Sequence, residues 1–160
     1  MAGLYLHIPF CKTRCIYCDF YSTTRSDLKD RYIQALCKEL EMRKGYLNGE
    51  ALQTIYWGGG TPSQLQPKDF QLVFDTISRI FGMDGCEEIT LEANPDDLTP
   101  EYLKALSSLP FNRISIGIQT FNNEILKQLK RRHTARQAIT AVQNARHAGF
   151  NNISIDLIYG

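Results

Sequence analysis

Four short apolar runs in this chain alternate residue by residue with polar side chains, and this two-residue period limits its fold more than any other feature. Leu4, Leu6 and Ile8 alternate with Tyr5, His7 and Pro9. Ile89, Leu91 and Ala93 alternate with Thr90, Glu92 and Asn94. Ile114, Ile116 and Ile118 alternate with Arg113, Ser115, Gly117 and Gln119, and Ile153, Ile155 and Leu157 with Ser154 and Asp156. Neighbouring side chains on a strand point to opposite faces, so each of these strands has one apolar and one polar side. The expected strands are Leu4 to Ile8, Thr54 to Trp57, Glu88 to Ala93, Arg113 to Ile118 and Asn152 to Ile158.

Helical spacing fills the intervals. Ile33, Leu36, Cys37 and Leu40 mark a helix over about Asp27 to Leu47. Pro67 opens another, with Phe70, Val73, Phe74 and Ile77 on one face, ending near Gly82. Thr99 and Pro100 form an N-cap with proline at the first helical position, and that helix ends before Pro110. A short helix follows at Asn123 to Leu129. Thr134 and Gln137 then make a capping box for a helix over Ala135 to Ala148, stopped by Gly149. Strands alternating with helices imply an α/β fold with parallel strands and right-handed crossovers. A (β/α) barrel whose polar lumen holds a ligand and water accounts for the alternation. The alternative is an open sheet with one solvated face, since strands covered on both sides read as continuous apolar runs.

The 160 residues are enough for one core. Eighteen basic and 17 acidic side chains give a net charge of +1, which provides no electrostatic footprint for nucleic acid or an acidic membrane surface. No apolar run is long enough to span a bilayer. The first residues, MAGLYLHIPFC, lack a basic region and a cleavage site of small residues, so no signal peptide is expected. A cytoplasmic location and reduced thiols follow as expectations.

Three of the five cysteines form Cys11-Lys-Thr-Arg-Cys15-Ile-Tyr-Cys18, directly after the first strand. This C-x3-C-x2-C loop can wrap a small metal centre. Zinc normally takes four protein ligands in such a site. No close fourth candidate is evident: Cys37 lies on an apolar helix face and Cys86 in a turn, which leaves His7 as the donor for a zinc alternative. Iron–sulfur clusters also bind cysteine thiolates, and three of them leave one iron of a [4Fe–4S] cube open to a further ligand. Lys12 and Arg14 are expected to favour the thiolate form.

The segment Tyr5-Leu-His-Ile-Pro-Phe-Cys11-x3-Cys15-Ile-Tyr-Cys18 resembles the radical S-adenosylmethionine (SAM) superfamily. More narrowly, it is similar to the oxygen-independent coproporphyrinogen III oxidase-like family. The likeness continues through Gly58-Gly-Gly-Thr-Pro62, Glu92-Ala-Asn-Pro95, Ser115-Ile-Gly-Ile-Gln-Thr-Phe121 and Ile155-Asp-Leu-Ile-Tyr-Gly160. It implies a partial (β/α)6 TIM-like barrel, of which this chain covers about the first five β/α units. A sixth strand and a C-terminal domain would follow Gly160, making the chain the front of a longer protein. The resemblance also implies a [4Fe–4S] cluster on Cys11, Cys15 and Cys18, with SAM on its open iron. Reductive cleavage of SAM would then yield a 5′-deoxyadenosyl radical, the protein supplying position and shelter.

The SAM-site residues implied by the likeness sit near the C-terminal ends of strands, where barrel active sites are built. Gly58, Gly59 and Gly60 would hold the SAM amino group, with Thr61 beside them. Glu92 and Gln119 end strands on the polar face, where a carboxylate and an amide suit ribose hydroxyls, a cationic group or a carboxylate. An ion pair of Glu92 with Arg113 and a glutamine bonded to backbone are the plainer alternatives. Arg131 matches the arginine that binds SAM, although its neighbours Lys130 and Arg132 make a basic run of the kind usually found on a solvated surface. Asp156 matches a residue at the SAM site and Tyr17 an aromatic near adenine. Tyr5 and His7 share the strand face that points toward the cluster end.

Family members that decarboxylate coproporphyrinogen III carry a fourth cysteine two residues after the third, and here that position is Phe20. In this the chain resembles the HemW-like branch of haem chaperones, which adds haem as a ligand. Small-molecule partners are therefore SAM and a porphyrin or haem. Protein partners are an electron donor such as flavodoxin or ferredoxin, and a haem-acceptor protein. The alternatives are an oxygen-independent coproporphyrinogen III oxidase and a non-catalytic zinc-binding module.

Overall fold

The computed structural model describes residues 2–159; Gly160, the end of the Ile155–Gly160 motif, lies outside the described residues. Five strands, β1 (Ala2–Ile8), β2 (Leu52–Gly59), β3 (Glu88–Ala93), β4 (Arg113–Gln119) and β5 (Asn152–Leu157), form one sheet. Their spatial order is β1-β2-β3-β4-β5 and every pairing is parallel. The intervening helices are α1 (Lys29–Met42), α2 (Pro67–Phe81), α3 (Pro100–Leu106), α4 (Asn123–Gln128) and α5 (Ala135–His147). A doubly wound sheet reverses its strand order at a switch point. This one never reverses, so each right-handed crossover advances the same way and the helices gather on one face. That is barrel-type winding, here through five strands and the four helical crossovers between them.

The apolar strand residues form the core with the helices. Leu6, Ile8, Ile55, Trp57, Leu91, Ile114, Ile116 and Ile118 are buried against Phe70, Val73, Ile77, Leu103, Ala138 and Ala145. Trp57 packs edge-on against Phe70 with ring centroids 4.9 Å apart, and Phe111 lies 5.1 Å from both Phe70 and Phe74. Only on β5 do the apolar side chains Ile155 and Leu157 stay exposed.

The opposite face is polar and hydrogen-bonded across the strands. Arg113 donates to Thr90 Oγ1 at 3.2 Å and to Ser154 Oγ at 3.0 Å, and Ser115 Oγ donates to Asp156 Oδ1 at 3.3 Å. Arg113 also faces Glu88 at 3.7 Å. Arg113 is thus engaged away from Glu92, unlike the ion pair weighed from sequence.

Local rules account for most boundaries and for two departures. Thr134 Oγ1 accepts from Gln137 N and Gln137 Oε1 accepts from Thr134 N, the capping box expected for α5. Helix α1 stops at Met42 rather than Leu47 because the next residues turn repeatedly, with Asn48 and Gly49 at φ of 50° and 82°. Strand β2 extends past Trp57 because Gly58 and Gly59 remain in register with His7 and Ile8. All five cysteines are free thiols. Cys37 and Cys86 pack against the core, and Cys86 Sγ donates to Leu52 O. No helix among the described residues is long and apolar enough to cross a membrane.

Removing the ring at the centre of the aromatic cluster leaves a cavity between sheet and helices. Phe111→Ala is expected to cost about 3–5 kcal/mol, read as a lowered denaturation midpoint at unchanged slope.

Candidate functional site

The thiol loop starts where β1 ends and has almost no regular structure. Its two ends are pinned together: Cys11 N donates to Thr23 O at 2.9 Å and Thr23 N to Pro9 O at 2.7 Å. His7 Nε2 bonds to Tyr21 O at 2.9 Å, and Tyr32 Oη donates to His7 O. Cys11, Cys15 and Cys18 line one cavity at the C-terminal ends of the strands. Gly59, Gly60, Thr61, Glu92, Gln119, Arg131 and Asp156 line it too, with Tyr17 and Phe20 from the loop itself. Cys11 Sγ lies 3.4 Å from Thr61 Oγ1. Burial pushes the Cys11 thiol up, and the nearby Cys18 and Cys15 add to this. The Lys12 ammonium is turned to Asp97, 3.0 Å away.

Arg131 is not part of a solvated basic surface. Its Nη2 donates to Asn94 Oδ1 and to Gly117 O, both at 2.6 Å, and its Nη1 approaches Cys15 Sγ at 3.6 Å and Tyr17 Oη at 3.5 Å. The end of α4 explains this placement. Lys130 N donates to Lys127 O and Arg131 N to Leu126 O, a Schellman turn with Lys130 at φ 58° in the place usually held by glycine. The turn reverses the chain and sends the next side chain inward. Gly117 carries the carbonyl that receives it, and a Cβ at Gly117 would crowd the Gln119 amide, 2.9 Å from Nε2. Arg131 Nε is buried with no partner among the described residues, so the guanidinium keeps a donor in reserve at a cavity wall.

Glu92 accepts from Tyr56 Oη at 2.6 Å and from Gly59 N at 3.2 Å. Gly59 has φ +114°, and a Cβ on it would lie 2.7 Å from the His7 ring, so only glycine brings the strand end this close. Burial raises the Glu92 carboxyl above its ordinary value, while these two hydrogen bonds oppose the rise and Asp156 adds to it. Gln119 ends β4 at φ 69°, a strained conformation for a residue with a side chain, at the point where the pairing with β5 shifts register. Burial pushes the Tyr17 phenol up to about 12 against the pull of Arg131.

Two of the residues expected at the site stand outside the cavity lining. Tyr5 stacks on Tyr56 and bonds through Oη to His7 Nδ1 at 3.1 Å. Gly58 sits beneath the Tyr5 and Tyr56 rings. Tyr56 and Asp97 are additions to the residues expected from sequence. Tyr56 bonds Glu92 from the inward face of β2, and Asp97 carries no local sequence signal.

The donor set fits a cluster better than a single ion. Among the described residues no three His, Cys, Asp or Glu side chains converge closely enough to share one metal ion. Both ring nitrogens of His7 are engaged, which removes the fourth ligand of a zinc site. A four-iron cube binds each thiolate on a different iron, so its donors stand farther apart than those of zinc. Three thiols around one cavity with Arg131 beside them are a donor set that suits a cluster with one open iron.

Glu92 binds its proton more tightly in the folded chain than in the unfolded one. Its contribution to stability is thus fully present below about pH 4.5 and is lost as pH rises through the raised value. Glu92→Gln is expected to gain stability relative to the parent as pH rises through that window, in paired urea titrations. Lys130→Gly relieves the left-handed residue and should add up to about 1 kcal/mol in the same measurement.

The family model of the radical SAM superfamily matches residues 5–160. The heme chaperone HemW of Lactococcus lactis is 44% identical over 156 residues, covering 97% of this chain and 40% of that protein. The heme chaperone HemW of Bacillus subtilis is 39% identical over 162 residues, covering 100% of this chain and 43% of its own length. The oxygen-independent coproporphyrinogen III oxidase of Synechocystis is 34% identical, with 99% of this chain and 34% of that protein aligned. The structure of the Escherichia coli coproporphyrinogen III oxidase HemN, described as a radical SAM enzyme, superposes with a TM-score of 0.89 at 33% identity. That match takes in 99% of this chain and 37% of the other. The chain thus spans well under half the length of each of these relatives. With its sequential parallel sheet and a C-x3-C-x2-C loop over the strand ends, it belongs to the radical SAM superfamily.

Proposed function

We propose that this chain is the cluster- and SAM-binding part of a HemW-like haem chaperone. The observation that carries the reading is the meeting of Cys11, Cys15 and Cys18 with Thr61, Glu92, Arg131 and Asp156 around one cavity, under a loop with Phe20 in place of a fourth cysteine. The names of the Lactococcus and Bacillus relatives support the haem assignment.

Cys11, Cys15 and Cys18 would hold a [4Fe–4S] cluster, and SAM would occupy the rest of the cavity. Together these groups supply one-electron cleavage of a sulfonium when bound. The chain's own residues bind and orient. Arg131 offers a guanidinium to a carboxylate. Glu92 and Asp156 accept from ribose hydroxyls or an ammonium, with Glu92 already aimed by Tyr56 and Gly59. Gly60 lets the end of β2 pack against the backbone that leads into the thiol loop, because a Cβ there would stand 2.8 Å from Pro9 C and O. Tyr17 and Phe20 line the cavity from the loop and offer aromatic faces to a ligand there. Haem as cargo, a flavodoxin- or ferredoxin-type electron donor and a haem-acceptor protein complete the proposal.

The 34% identity to the Synechocystis oxidase keeps coproporphyrinogen III oxidation as the second reading. Anaerobic reconstitution should give matched iron and acid-labile sulfide with cluster absorbance. Cys11→Ala, Cys15→Ala and Cys18→Ala should each abolish that absorbance, and retention in any of them would refute the ligand assignment. Stable haem binding without decarboxylation of coproporphyrinogen III supports the chaperone; decarboxylation under dithionite and SAM selects the oxidase. Zinc alone, with no SAM cleavage, would sink both.

A further inference from the structure

Asp97 ends the short 3-10 turn Pro95–Asp97 after β3, and its side chain is only 4% exposed. Its carboxylate collects donors from three separate loops. Oδ2 accepts from Ser63 Oγ at 2.7 Å and Gln64 Nε2 at 2.6 Å. Oδ1 accepts from Lys12 Nζ at 3.0 Å and lies 3.5 Å from Arg132 Nη2. Arg132 is held further by Asp96 Oδ2 at 2.6 Å. A buried carboxylate is tolerated when cations and hydrogen bonds take up its lone pairs, and here both are present.

The placement of the donors is informative. Lys12 follows Cys11, Ser63 and Gln64 come just after Thr61, and Arg132 follows Arg131. Arg132 lines the cavity itself, and Lys12, Ser63 and Gln64 are each next to, or within three residues of, a side chain that does, while Asp97 is not in the lining. We infer that Asp97 is the positioning residue of the site: through Lys12, the Ser63–Gln64 turn and Arg132 it sets where the thiol loop stands relative to the glycine strand end and Arg131. The inference rests on the reading of the thiol loop as a cluster site. Among its ties, the Lys12–Asp97 pair is a direct side-chain link between the thiol end of the loop and the body of the protein. The Thr23 staple fixes only its base.

Asp97→Ala would strand two cations and two donors and risks unfolding, so the test uses milder changes. Lys12 is 54% exposed, and Lys12→Met leaves Ser63, Gln64 and Arg132 on the carboxylate. Lys12→Arg restores the cation, and Asp97→Asn keeps the shape of the hub without its charge. Two measurements are made on each protein: amide hydrogen exchange in the metal-free state, and iron loss to a chelator after anaerobic reconstitution. The expected result is exchange at the Ile16 and Cys18 amides about tenfold faster in Lys12→Met and Asp97→Asn, and iron loss faster by about 10-fold or more. Exchange at Ile114 and Ile116 should stay at the parent rate, and Lys12→Arg should recover both readouts.

The inference is overturned if Lys12→Met exchanges and releases iron like the parent, or if Lys12→Arg fails to rescue it. It is equally overturned if faster exchange spreads into β4, which would make the effect one of global stability. A parent protein that takes up no cluster counts against the cluster reading alone, and the exchange measurement then decides the role of Asp97.

Discussion

A parallel sheet with helices on one side must satisfy its other face with hydrogen bonds, and the rest of this structure depends on how that is done. The inner face is closed by a ladder running from Thr90 through Arg113 to Ser154 and from Ser115 to Asp156. A second group ties Tyr56 and Gly59 N to Glu92. Because strand neighbours alternate faces, the same residues that build the core from one side fix these polar groups on the other. The floor of the cavity therefore presents acceptors that are already hydrogen-bonded to neighbouring strands, Glu92 through Tyr56 and Gly59 and Asp156 through Ser115.

The loops above this floor are ordered by side chains rather than by secondary structure. The thiol loop is stapled at Thr23 and held across the cavity by Arg131, whose inward course depends on a left-handed lysine at the end of α4. Gln119, at φ 69° at the end of β4, lines the same cavity close to Arg131. Strain of this kind persists only where the surroundings over-determine it, and here both residues flank the same cavity. The thiols gain a fixed wall to face, and the cost is carried by two backbone positions outside the thiol loop itself.

Local chemistry made much of this legible in the sequence. Alternation identified the inward faces, the Thr134–Gln137 box began α5 where expected, and the cysteine spacing marked the metal loop. Tertiary geometry hid the rest. Gly58 and Gly59 read as a turn, yet pairing with His7 and Ile8 keeps them in a strand. Arg131 sits in a basic triplet that spacing assigns to solvent, and only the Schellman turn separates it from its neighbours. Asp97 meets partners 85, 34, 33 and 35 residues away, so no local pattern could reveal its role. Lys12 was read for its charge beside a thiol, when its reach to that distant carboxylate is what engages it.

The sequential strand order has a consequence for how the molecule is made. Each strand pairs with the one synthesised just before it, so the sheet can grow unit by unit as the chain leaves the ribosome, with little waiting for distant partners. The thiol loop is the exception to this progression. It precedes its anchors in the chain, Thr61, then Asp97, then Arg131. During synthesis the cysteines are thus tethered at the base well before they are held in place. A cofactor that needs the three thiols and these anchors together finds them assembled only once β4 and α4 have formed.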